Sequence, residues 1–128
     1  MLEINKELLE LSTIAYVARA LVDYSVSLEP DCRIEKASAR YVLRPKNFVT
    51  FEPHFKLVKN LTVTLRGRPE EFDQLPELLL KNSLQGYSSF TLVSCNQLAA
   101  AASYIQRAHV LFGRGRGRPG LKPKTIEE

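Results

Sequence analysis

The amino-acid sequence predicts one α+β domain, with helices packed on one face of an antiparallel or mixed sheet and a basic tail behind it. The main observation is that the spacing of apolar residues changes along the chain, from the helical period to alternation and back. The 128 residues, 45% of them hydrophobic and 25% charged, suffice for one core but not for two. The predicted order of elements is α-β-β-β-α-β-α, with a globular domain at residues 1–112 and a flexible tail at residues 113–128.

The first predicted helix covers residues 4–22. Its apolar stripe repeats at intervals of three and four residues and consists of Ile4, Leu8, Leu11, Ala15, Ala18 and Val22. Glu3, Glu7 and Glu10 suit the positive end of the helix dipole. The longest apolar stretch, residues 14–22, is shorter than a bilayer span, so we expect no membrane segment.

Three strands are predicted between residues 33 and 66, where apolar and polar residues alternate. They cover residues 33–44, residues 48–55 after a turn at residues 45–47, and residues 57–66. The positions predicted to face inward are Glu35, Ala37, Ala39, Tyr41 and Leu43, then Val49, Phe51 and Phe55, and then Leu57, Leu61, Val63 and Leu65. Pro53 lacks a backbone N–H, so we expect it at a sheet edge.

A second helix is predicted over residues 69–84, a fourth strand over residues 89–95, and a third helix between Asn96 and Gly113. Proline and two glutamates at the start of the second helix suit a first helical turn. Pro76 leaves two alternatives, since the helix either begins near Asp73 or is kinked before its leucines.

The charge of +4 is unevenly distributed along the chain. Residues 1–32 carry two basic and six acidic side chains, whereas residues 33–68 carry nine basic and two acidic ones. Alternation gathers many of these cations on the outer sheet face, together with one aromatic ring. The candidate nucleic-acid-binding residues in this region are Lys36, Arg40, Arg44, Lys46, Phe48, His54, Lys56, Arg66 and Arg68.

A basic sheet face with an aromatic ring is typical of proteins that bind single-stranded DNA or RNA. Lysine and arginine pair with phosphates, while a ring stacks on a base without regard to sequence. The alternative is a solvated face whose charges only keep the sheet soluble. We expect a nucleic-acid partner, with DNA and RNA both left open.

The tail contains a regular arginine-glycine segment at residues 113–119. Its Arg116-Gly117-Arg118-Pro119 core resembles the AT-hook, in which arginines lie along a narrow minor groove. The resemblance implies a nucleic-acid-binding arm that uses Arg114, Arg116 and Arg118. The same four letters occur at residues 66–69, where a turn between elements is predicted.

Residues 61–108 resemble the β-α-β-α unit of Alba-type DNA- and RNA-binding proteins. They would supply a strand, a leucine-rich helix, an apolar strand and an alanine-rich helix in that order. Alba-type proteins carry a basic hairpin after the second helix, whereas here a hairpin at residues 33–55 would precede the unit, as in a permuted arrangement. Arg66 and Arg68 are the candidate counterparts of their lysine pair. The resemblance implies nucleic-acid binding.

Catalytic and metal-binding patterns are missing from the sequence. Cys32 and Cys95 have no CxxC spacing, and His54 and His109 lie on different predicted elements. We therefore expect no enzyme activity, no cofactor and no metal. The alternative function is a protein-interaction or structural subunit, in which the apolar first helix pairs with a second copy as a homodimer. No secretory signal is recognised, so a cytoplasmic, nucleoid or nuclear location is expected.

Overall fold

A computed structural model describes residues 3–113, with side chains from Ile4 onward. Within this range, three α-helices lie against one face of a six-stranded sheet, which confirms the predicted α+β class. The helices are α1 (Glu3–Leu9), α2 (Ala15–Leu28) and α3 (Leu98–Gly113), and the short 3-10 turns are Ser12–Ile14, Pro69–Glu71 and Cys95–Gln97. The strands are β1 (Arg33–Ala37), β2 (Arg40–Arg44), β3 (Val49–His54), β4 (Asn60–Arg66), β5 (Lys81–Asn82) and β6 (Tyr87–Leu92).

The sheet has the strand order β1-β2-β3-β4-β6-β5, and each neighbouring pair is antiparallel. One face of the sheet packs on the helices and forms the core. Leu61, Val63 and Leu65 of β4 are buried there, as the alternation predicted. The inward position predicted for Leu57 is wrong, because this residue lies before β4 in a left-handed conformation, with a φ of 57°, and is fully exposed. Pro53 pairs with Leu61, and the ladder between β2 and β3 stops before it reaches Pro53. The proline therefore lies where β3 has no neighbour on one side.

The predicted helix at residues 4–22 is interrupted. Ser12 has a φ of 60°, in the left-handed region, and a 3-10 turn separates α1 from α2. A left-handed residue stops the helical hydrogen-bond ladder, so the chain changes direction between Leu11 and Ala15. The apolar stripe survives, since Leu8, Leu11 and Ile14 are all buried.

The single strand predicted at residues 33–44 is in fact a hairpin. Ser38 and Ala39 form its two-residue turn, and Ser38 has a φ of 61°. Ala37 then pairs with Arg40, and Lys36 pairs with Tyr41. Directly paired residues share a face, so the turn resets the alternation. Glu35 and Ala37, predicted to face inward, lie on the face opposite Tyr41.

The second predicted helix, at residues 69–84, is wrong. Only the 3-10 turn Pro69–Glu71 is helical, and the segment continues as a loop that ends in the short edge strand β5. The side chain of Gln74 holds the loop backbone through two hydrogen bonds. Its amide N–H donates to the carbonyl of Leu80, at 3.0 Å, and its amide oxygen accepts from the backbone N–H of Leu80, at 2.9 Å. The β-α-β-α layout that resembled Alba-type proteins is therefore not formed by residues 61–108.

The buried hydroxyl of Tyr104 on α3 holds the same loop. It accepts a hydrogen bond from the Leu75 N–H, at 2.9 Å, and donates one to the Leu78 carbonyl, at 2.6 Å. These bonds satisfy backbone groups that a helix would have satisfied internally. Pro76 lies between the two anchored residues, where its missing N–H excludes regular helix.

Candidate functional site

The helices leave one face of the sheet uncovered, which we term the open face. Its positions follow from the strand register and are Arg33, Glu35, Ala37, Arg40, Val42, Arg44, Thr50, Glu52, His54, Asn60, Thr62, Thr64, Arg66, Lys81, Tyr87, Ser89 and Thr91. Five of these side chains are cationic and two are carboxylates. The open face is therefore polar and net positive, which distinguishes it from the apolar face below the helices.

A groove of about 430 Å³ crosses the open face. Its floor includes Val42, Thr50 and Thr64, which are consecutive cross-strand partners on β2, β3 and β4. One wall is the tip of the β1–β2 hairpin, with Ser38 and Arg40, and the other is formed by Ser83, Leu84 and Tyr87. From β2 to β6 the groove spans three strand spacings, or about 14 Å.

An arginine and a tyrosine are stacked beside the groove. The guanidinium carbon of Arg66 lies 4.9 Å from the centre of the Tyr87 ring, and the two residues are direct partners on β4 and β6. The Nε–H of Arg66 also donates to the Asn47 carbonyl, at 2.9 Å. These contacts hold the guanidinium plane in one orientation. The side chain therefore loses little conformational entropy when a ligand binds.

Arg40 is the cation on the opposite wall. Its side chain is exposed, and no ion pair joins it to any residue in the range 3–113. An arginine in this state can pair with an incoming anion without first breaking an internal salt bridge. As predicted, Arg40, Arg44 and Arg66 lie on one face.

Four of the predicted cations, including Lys36, are ion-paired within the domain. Arg44 lies 3.8 Å from Glu35, which also bonds Arg33 at 2.6 Å. Lys46 lies 3.2 Å from Glu29, and Arg68 lies 3.9 and 3.8 Å from Glu70 and Glu71, respectively. These acids lower the positive potential that the sequence alone suggested.

The predicted position of Lys36 on the basic face is wrong. Lys36 lies on the helix side, where its ammonium bonds Glu7 of α1 at 3.0 Å and Tyr41 donates to the same carboxylate at 2.6 Å. Partial burial raises the pKa of Glu7, but the bonds from Tyr41 and Lys36 outweigh it and leave the pKa below its ordinary value. Lys36 thus ties α1 to the first hairpin.

The predicted position of Phe48 on the basic face is also wrong. Phe48 is 0% exposed and lies immediately before β3, with its ring 4.9 Å from the His109 ring and 6.5 Å from the Phe112 ring of α3. Burial of the phenyl ring against α3 stabilises the fold more than exposure on the sheet would. Alternation within one strand gives no information about α3, so it could not predict these partners.

His54 and Lys56 occupy one end of β3. His54 is half-buried on the open face, where its Nε2 lies 3.2 Å from the Thr62 hydroxyl. Lys56 is exposed in the loop that follows. Neither residue lines the groove.

Tyr87 lies on the open face but was not among the binding residues predicted from the sequence. Tyr87, Ser89 and Thr91 alternate with the buried Ser88, Phe90 and Leu92 along β6. This alternation was visible in the sequence, but the strand was predicted to begin after Tyr87, so the ring was not assigned to a face.

The predicted tail lies outside the described residues, apart from Gly113, which is the last residue of α3. Arg114, Arg116 and Arg118 therefore have no structural account. Among residues 3–113 there is no cluster of three or more histidine, cysteine, aspartate or glutamate side chains that could hold a metal ion. In the same range, no helix is both long and apolar enough to cross a bilayer.

A second surface feature is apolar. Leu9 and Tyr16, 65% and 80% exposed, border a groove of about 390 Å³ between α1 and α2. The groove lies on the helical layer, away from the open face.

Comparison of the chain with protein-family models, with curated proteins and with solved structures found no match in any of the three.

Proposed function

We propose that this protein binds single-stranded nucleic acid on its open face, with a base at the Arg66–Tyr87 stack and the phosphate backbone against Arg40. The observation that carries the proposal is the groove itself, which has Tyr87, stacked on Arg66, on one wall and Arg40 on the other. Among residues 3–113, Arg40 makes no ion pair. A polyanion with exposed planar bases matches both walls.

Shape and polarity also favour a single strand. The two walls lie about 14 Å apart, a distance that a single strand lying across β3 and β4 can bridge. The hydroxyls of Thr50 and Thr64 on the floor can donate to and accept from base edges or sugars.

The test is a titration of labelled single- and double-stranded DNA and RNA at two salt concentrations. Tyr87→Ala is expected to weaken single-strand binding by about 1–3 kcal/mol without changing the salt slope, because stacking involves no charge. Arg40→Ala is expected to lower the salt slope by about one phosphate contact.

Two matched controls lie on the helical layer. Tyr16→Ala removes an exposed tyrosine from α2, and Arg19→Ala removes an arginine from the same helix. Both are expected to leave binding unchanged. Equal losses in the control and groove variants, or no binding of any oligonucleotide at low salt, would contradict the proposal and favour a protein-interaction subunit.

A further inference from the structure

An exposed apolar loop tip lies at the end of the sheet opposite the nucleic-acid groove. The groove crosses β3 near its start, at Thr50, whereas the loop of residues 55–59 joins the other end of β3 to β4. Within this loop Leu57 is fully exposed and Val58 is 68% exposed. The left-handed backbone of Leu57 is strained for a bulky residue, and such strain is typical of functional positions.

Neighbouring elements extend this apolar surface. Val93 follows β6 and lies beside the start of β4, because Leu92 pairs with Leu61. On the other side, the Lys59 ammonium donates to the hydroxyl of Ser12, at 3.3 Å, and Ser12 lines the apolar groove between α1 and α2. Among residues 3–113 seven large hydrophobic side chains are exposed, and five of them lie at this end of the domain, namely Leu9, Tyr16, Leu57, Val58 and Val93. This concentration marks an interaction surface.

The charges beside the tip are positive. Lys56 and Lys59 flank the two apolar residues and are both exposed, and neither forms an ion pair within residues 3–113. On α1 the exposed Lys6 and Glu10 cancel each other in charge. An apolar tip between two such lysines is complementary to an anionic bilayer, in which alkyl side chains enter the acyl region and ammonium groups reach back to the phosphates.

We propose that residues 56–59 dock this protein on membranes that contain anionic phospholipids, with Leu57 and Val58 inserted into the bilayer and the two lysines at the headgroups. The convex shape of the tip favours this partner over a protein, because a bilayer accepts a protrusion without a matching pocket. The ring of Tyr16 suits the headgroup level, where tyrosine is enriched. The proposal does not depend on the proposed function, since the groove lies at the opposite end of β3 and β4.

Sedimentation of the full chain with vesicles tests the proposal. We expect binding to phosphatidylcholine vesicles that contain about 30% phosphatidylserine and little binding to pure phosphatidylcholine. The double substitution Leu57→Asn and Val58→Ser should weaken binding at least about tenfold, because it removes the inserted apolar surface. Asparagine tolerates a left-handed backbone, so the variant is expected to fold with an unchanged unfolding midpoint.

The charge of the tip is tested separately. Lys56→Gln should weaken binding to the anionic vesicles about fivefold, the effect of one lysine near such a surface. Matched controls lie at the groove, where Leu84→Asn removes an exposed leucine and Arg40→Gln removes an exposed cation. Both controls should bind the vesicles as the unmodified protein does.

Fluorescence locates the tip in the bilayer. The chain contains no tryptophan, so Val58→Trp introduces a single probe. Its emission should shift to shorter wavelength when the anionic vesicles are added, whereas the emission of Leu84→Trp should not shift.

The outcomes are distinct for the two proposals. Equal vesicle binding by the double variant and the unmodified protein would overturn membrane docking, as would equal binding to both kinds of vesicle. A dimer in solution that the double variant converts to a monomer, without vesicle binding, would also overturn it, because the tip would then contact a second copy. Unchanged oligonucleotide binding in Tyr87→Ala and Arg40→Ala would defeat the groove proposal and leave membrane docking standing.

Discussion

The guanidinium of Arg66 lies over the ring of Tyr87, 4.9 Å from its centre, and the two residues are direct partners on neighbouring antiparallel strands. A cation–π contact at such a site contributes about 0.5–1 kcal/mol, and it fixes the plane of the guanidinium. The pair is ordered by the sheet itself, before any ligand arrives.

Replacement of Arg66 by lysine tests the role of that plane. Arg66→Lys keeps the charge but loses the planar stack and the directional bond to the Asn47 carbonyl. Single-strand affinity is expected to fall by about 1 kcal/mol with an unchanged salt slope. Arg40→Lys is the matched control and should bind as the unmodified protein does, because Arg40 makes no such stack. Equal effects of the two substitutions would argue against an ordered stack.

Phe48→Ala is expected to destabilise the domain by about 3–5 kcal/mol, because it removes a fully buried ring from the contact between β3 and α3. Urea denaturation measures the loss. Tyr16→Ala, at an exposed position, should change the unfolding free energy by less than about 0.5 kcal/mol. A stable Phe48→Ala protein with weakened oligonucleotide binding would instead restore the surface role predicted from the sequence.

Gly67 occupies a position where any other residue would be strained. Its φ is 124°, and a Cβ there would lie 2.8 Å from side-chain carbons of Leu111 and Phe72. Gly67→Ala is expected to cost about 1–3 kcal/mol through backbone strain and overpacking, measured as a lower unfolding midpoint. In contrast, a Cβ at Gly113 would meet nothing within 4 Å, so Gly113→Ala should be neutral or slightly stabilising. If Gly67→Ala and the unmodified protein had the same unfolding midpoint, α3 would have shifted without cost to make room for the added Cβ.

The carboxylate of Glu29 makes stability depend on pH. Its hydrogen bond to His109 lowers its pKa, partial desolvation opposes this, and Lys46 adds to the lowering. A carboxyl whose pKa is lower when folded stabilises the protein above its unfolded pKa, and this contribution is lost as pH falls through the folded value.

Glu29→Gln is therefore expected to lower the unfolding free energy by about 1 kcal/mol near pH 7. The difference from the unmodified protein should shrink as the pH falls below the ordinary pKa of 4.5. Asp23→Asn removes an exposed carboxylate on α2 and serves as the control. If the difference in unfolding free energy between Glu29→Gln and the unmodified protein stayed constant from pH 7 to pH 3, the ionised Glu29 carboxylate would not be a source of stability.

The sequence by itself determined the α+β class, the inward positions of β3 and β4, and the shared face of Arg40, Arg44 and Arg66. These properties depend on local alternation, which requires no knowledge of distant contacts. The binding roles of the candidate residues remain predictions.

Tertiary structure decided the rest. Ser38 and Ala39 made a hairpin of one predicted strand and moved Lys36 to the opposite face, because a two-residue turn resets the alternation. The hydroxyl of Tyr104, on a helix far along the chain, anchored the segment around Pro76 as a loop. Phe48 became part of the core because α3 covers it. The hairpin depends on the geometry of a turn, and the other two features depend on contacts with a distant helix. The periodicity of a short stretch of sequence contains neither kind of information.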